Sequence, residues 1–128
     1  MAGSVGDSWP LEYVPDTDDL YLRVHRAWLR DGSLGPGVFR NRQGGMSTDW
    51  SKYSTPRHTQ ERARTPSESG VIALRTGSVR EIPQRVEHDP LQGNRAHTEV
   101  FGEKDPEVRL KLQRLARWML PVPVGMTS

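Results

Sequence analysis

The chain has no cysteine in its 128 residues. That excludes a disulfide framework, a thiolate nucleophile and a cysteine-ligated zinc, and it suits a reducing cytoplasm. Apolar residues are scarce, at 34% with a mean hydropathy of −0.73, so the core must be small. No uncharged apolar run approaches the roughly 20 residues that span a bilayer. The opening MAGSVGDSWP lacks the basic and apolar regions of an export signal. These absences lead to the expectation of a soluble, cytoplasmic protein with no membrane contact. Lysine is nearly missing too, three against fifteen arginines, and arginine grips phosphate or carboxylate in a fork where lysine offers a point charge. The formal net charge of +2 is nevertheless too small for a dedicated duplex binder.

What is present is the length of one domain. Residues 1–19 read as a flexible or wrapping arm in which Trp9, Leu11 and Tyr13 are the residues to bury. Residues 20–120 read as a single α+β domain with a mainly antiparallel sheet of short strands, and residues 121–128 as a tail. Leu20, Leu22 and Val24 alternate as a strand, followed by an irregular or short helical piece ending at Asp31-Gly32. VFRNRQGGMSTDW reads as a hairpin about Gly44-Gly45, with Val38 and Phe39 on one arm and Met46, Thr48 and Trp50 sharing a face of the other. Thr55 and Pro56 open a short surface helix to about Arg64. GVIALRTG is a strand, and Ser78 with Glu81 reads as a capping box for a single turn. QRVEH and AHTEVFG pair as a wide hairpin. DPEVRLKLQRLARWML is a closing helix, capped by Asp105, whose stripe of Val108, Leu112, Leu115, Ala116 and Met119 faces the core.

The fragments LYLRVHRAWLRDG, GVFR, GMSTDW and VEHDPLQGNRAHTE, with the closing helix, resemble a group of short uncharacterised bacterial proteins. The resemblance implies a bacterial, cytoplasmic origin and carries no activity. A second resemblance is to the ADP-ribosyltransferases, which place an Arg or His on the first strand, a Ser-Thr pair opening the second and a Glu late in the chain. Arg23, Ser47, Thr48 and Glu99 occur in that order. The resemblance implies NAD as the substrate, a cation holding its pyrophosphate and a carboxylate stabilising an oxocarbenium-like ribose. Asp49 and His97 depart from that family's pattern.

Three further constellations carry chemistry. His88, His97 and Glu99, flanked by Asp89, offer nitrogen and oxygen ligands for zinc or manganese, hence a metal-dependent nuclease. Arg40, Arg42, Arg57, Arg62 and Arg64, with Trp50 to stack a base, would serve a nucleic-acid binder. Leu110, Arg114, Arg117 and Trp118 form a basic helix face with a leucine inside it, suited to a protein partner or a second copy of the chain. Taken together, these features lead to the expectation of a small interaction module or accessory subunit with no cofactor. NAD, zinc or manganese enters only if one of the enzymatic readings holds.

Overall fold

The computed structural model describes residues 9–42 and 44–123. Its framework is an antiparallel sheet of β1 (Asp19–His25), β4 (Met46–Trp50), β5 (Ser69–Arg75), β6 (Arg85–His88), β7 (His97–Phe101) and β8 (Arg117–Leu120). The strand order is β6-β7-β4-β1-β5-β8. A small hairpin, β2 (Leu29–Arg30) with β3 (Ser33–Leu34), stands apart, and three helices complete the α+β domain: α1 (Pro56–Glu61), α2 (Thr76–Arg80) and α3 (Pro106–Leu115). Among the described residues no helix is long and apolar enough to cross a membrane.

Strand alternation builds the core. Leu20, Leu22 and Val24 of β1 are buried against Met46 and Trp50 of β4, Ile72 and Leu74 of β5, and Val100 of β7. Val79 and Ile82 from the α2 region and Leu112 of α3 close that face. Each such side chain contributes about 1.5–3 kcal/mol of apolar burial. β5 is apolar on both faces because Val71 and Ala73 also pack, with Tyr21 and Leu120, on the far side of the sheet.

Several local expectations hold. Thr55 caps α1, its hydroxyl accepting from the His58 N–H at 3.1 Å. Asp105 caps α3 by accepting from the Val108 N–H at 2.9 Å. β6 and β7 pair as the hairpin expected of QRVEH and AHTEVFG.

Other expectations are corrected. The closing helix ends at Leu115, where Ala116 turns extended (φ −66°, ψ 136°) and Arg117–Leu120 becomes β8 on the edge of β5. Pairing with β5 satisfies backbone groups that a longer helix would have satisfied internally. The close approach is possible because Gly70 has no Cβ, which would lie 2.7 Å from the Leu120 carbonyl oxygen. Met119 sits where the β5–β8 register shifts, and it is 38% exposed rather than core. Val38 and Phe39 form no strand arm. Pro36 starts a 3-10 turn that drops both side chains into the core, leaving only an isolated bridge between Arg42 and Gly45.

Asp31-Gly32 is a tight hairpin turn between β2 and β3, both residues having positive φ (54° and 81°), a conformation Asp-Gly favours. Ser78 is inside α2 and caps nothing. The first amides of that helix are held instead by backbone carbonyls of the arm, Thr76 N–H by Asp18 and Gly77 N–H by Asp16. In the arm, Trp9, Leu11 and Tyr13 are exposed and the buried residue is Val14.

Candidate active site

The alternation that sends Met46, Thr48 and Trp50 into the core turns Ser47 and Asp49 to the opposite face of the sheet. The pairings Tyr21–Asp49, Ser47–Glu99 and Asp49–His97 bring Arg23, two residues beyond Tyr21, together with Ser47 and Glu99 from three adjacent strands. The Ser47 hydroxyl donates to Glu99 Oε2 at 3.0 Å. His97 Nε2 lies 2.8 Å from the same carboxylate oxygen and 3.3 Å from Ser47 Oγ. His97 Nδ1 is 2.8 Å from the Asp89 carbonyl oxygen, which can only accept, so Nδ1 carries a proton. Space for the Glu99 carboxylate is left by Gly45, whose Cβ would stand 2.5 Å from Glu99 Oε1.

Asp49 anchors this face. It is fully buried and accepts from Thr59 Oγ1 (2.9 Å), Arg62 (3.2 Å), Arg23 (3.4 Å) and, on its other oxygen, Asn94 (3.0 Å). Two arginines and two neutral donors offset the desolvation of the buried carboxylate. In Arg23 this uses only Nη1, shared with the Thr59 carbonyl.

A groove runs across the face. One cleft, of about 530 Å³, lies against Ser47, His97, Glu99 and Asp89, within the usual range of small-molecule sites. A second, of about 270 Å³, adjoins it through Ser47 and Arg42 and carries Arg23, Arg40 and Trp28. A third continues past Arg23 and Trp28 to His25 and Arg64. The Arg40 and Arg42 guanidiniums lie 5.7 and 5.2 Å from the Trp28 ring centroid. Their loop is pinned to the end of β7: Asn41 donates to the Gly102 carbonyl at 3.0 Å and accepts from Lys104 Nζ at 2.8 Å. Burial lowers the Lys104 amine to about 8, against an opposing pull from the Glu99 charge.

The residues singled out from the sequence fall into three groups. Ser47 and Glu99 are in contact, Arg23 stands on the next strand of the same face with its guanidinium turned to Asp49 and Thr59, and Arg40, Arg42 and Arg64 line the groove. Others point elsewhere. Thr48 faces the core and donates to the Thr98 carbonyl at 2.9 Å. His88 is a packed core histidine, 5.1 Å edge-on to Trp50, accepting from the Glu12 N–H and facing the Arg95 carbonyl. Asp89 takes its place, since the ligand atoms of Asp89, His97 and Glu99 all lie within 4.8 Å of one another. Trp50 is 1% exposed and cannot stack on a base; Trp28 holds the groove position. Arg62 is committed to Asp49, and Arg57 is an exposed residue of α1 outside these clefts.

The basic helix face is divided between two elements. Leu110 and Arg114 are on α3, whereas Arg117 and Trp118 are on β8, with Arg117 paired to Asp19 at 2.6 Å. Sequence reasoning missed Trp28 and the anchoring role of Asp49. The signal for Asp49 was its place at odd spacing between two core residues of β4. Comparison with family models, with curated proteins and with solved structures yields no match.

Proposed function

We propose that the protein is an NAD-using transferase of the ADP-ribosyl class, working through Arg23, Ser47 and Glu99. The observation that carries this reading is the Ser47 hydroxyl donating to the Glu99 carboxylate at 3.0 Å, with Arg23 one strand further along the same face. Glu99 is the carboxylate that stabilises the oxocarbenium-like ribose as the C1′–N bond breaks. Nicotinamide leaves with the bonding pair and becomes neutral. The acceptor's lone pair makes the new bond to C1′, and any proton it carries passes to solvent. Ser47 orients Glu99, and the Arg23 nitrogens not used by Asp49 and Thr59 face the pyrophosphate.

Release of nicotinamide from NAD tests the reading. Glu99→Gln keeps the shape and lowers turnover by about 10²–10³-fold, the usual effect of removing one stabilising group in a transition state. Wild-type protein that neither binds nor cleaves NAD overturns it. A second reading, a zinc or manganese ion held for nuclease chemistry, is favoured by the clustering of Asp89, His97 and Glu99 within 4.8 Å. It requires a heat of metal binding that His97→Ala removes.

A further inference from the structure

NAD brings two phosphate charges, and the groove holds more cationic capacity than they need. The single charge of Asp49 is shared by Arg23 and Arg62, which leaves that trio with one positive charge. Arg40, Arg42 and Arg64 have no carboxylate within ion-pair distance among the described residues, as is true also of Arg26, Arg30, Arg57, Arg75, Arg109 and Arg114; what sets the first three apart is that they line the clefts of this face. Two of them, Arg40 and Arg42, are also held in place. Arg40 and Arg42 share the Trp28 ring, and Asn41 between them is tied to Gly102 and Lys104, so little conformational entropy is lost when a ligand is gripped.

We propose that this arm of the groove, Arg40 and Arg42 against Trp28 with Arg64 beyond Arg23, seats a single-stranded nucleic acid that is the acceptor of the ADP-ribosyl group. An aromatic ring flanked by guanidiniums fits a strand in which bases stack and phosphates are forked by arginine. An acidic peptide would use the arginines alone, whereas a base can also lie against the part of the Trp28 ring that its packing on the core leaves open to the cleft. A duplex keeps its bases stacked inside and away from that ring. The acceptor atom is a base nitrogen, which gives its proton to solvent, or a terminal phosphate oxygen, which has none to give. The seat itself rests on the groove alone; only the acceptor role rests on the transferase reading.

Fluorescence anisotropy of a labelled single-stranded oligonucleotide of about 12 nucleotides measures the seat, and nicotinamide release measures the transfer. The Arg40→Ala/Arg42→Ala variant weakens binding at least tenfold with an unchanged melting temperature. It also flattens the salt dependence by about 1.4 in log–log slope, about 0.7 for each strand phosphate that the missing guanidiniums no longer neutralise. Arg114→Ala, on α3, leaves both unchanged. With NAD present the strand gains one ADP-ribosyl mass, at a rate that Glu99→Gln lowers by the same factor of about 10²–10³ while still binding the strand.

Wild-type protein that cleaves NAD but does not bind the strand, or whose double variant binds it equally well, overturns the proposal and leaves the transferase reading standing. Modification of an acidic peptide in preference to the strand overturns it likewise. Arginine-dependent binding without any NAD cleavage upholds the seat and removes the transferase reading with the acceptor role.

Discussion

The two faces of the central sheet are cut from the same strands and do opposite work. On β4, Met46, Thr48 and Trp50 are buried on the core side, while Ser47, one residue out of phase, lines the groove and Asp49 is buried on that same side among two arginines, Thr59 and Asn94. The core face binds α2 and α3 by apolar contact. The opposite face is polar across β4 and β7 and apolar only where Tyr21, Val71, Ala73 and Leu120 pack, and its one fully buried acid, Asp49, collects four donors. A small, turn-rich chain thus obtains a rigid floor for a polar site from the period of two alone. The strands that carry the chemistry are held from behind by the core.

The sharpest challenge to this division is Asp49, a polar residue bearing as much structure as any aliphatic one. Trp50→Ala, which empties a large core site, costs about 3–5 kcal/mol. Asp49→Ala, which strands Arg23 and Arg62, costs about 3–5 kcal/mol as well. Denaturant unfolding of both checks this; an Asp49 variant as stable as wild type would make the groove face purely a ligand surface.

Gly45→Ala separates chemistry from stability in the other direction. Its new methyl displaces the Glu99 carboxylate, so on the proposed transferase reading NAD cleavage falls by about 10²-fold, while the melting temperature moves far less than in the core variants.

Lys104, between the groove loop and β7, responds to pH. Its amine stands at about 8 instead of 10.5, so between those values the unfolded chain binds more protons. The penalty for burying the ammonium is fully present below about 8 and is relieved as pH rises toward 10.5. The difference in melting temperature between wild type and Lys104→Gln therefore grows in favour of wild type across that window. The smallest effect belongs to Arg114→Ala, outside both faces, which stays within about 0.5 kcal/mol in stability.

Much of this was readable in the chain. The alternation in β1 and β4, the caps at Thr55 and Asp105 and the β6–β7 pairing all follow from neighbours a few residues apart. Arg23, Ser47 and Glu99 were legible as candidates because their order along the chain resembles a known transferase pattern. The errors have a common cause. RLARWML continues the helical period of α3, yet Ala116 leaves the helix because the edge of β5 offers Arg117–Leu120 a ladder and a place to bury part of Leu120. His88 and Asp89 are adjacent in sequence, and only the register of β6 on β7 sends the first to Trp50 and the second to His97. Trp50 and Trp28 are alike as side chains; one lies under the sheet and the other in the groove.

By itself, then, the sequence determined the local elements whose signals are strongest, such as strands β1 and β4 and the caps at Thr55 and Asp105, because those preferences are settled by sterics and hydrogen bonds within about one turn or one strand. Tertiary structure decided that β4 lies between β1 and β7, that β8 exists, and that Arg23, Ser47 and Glu99 share a groove with Arg40 and Arg42. Those outcomes depend on burying the apolar face and pairing six strands in one order at once, a balance of contacts between residues far apart in the chain, and no local window contains it.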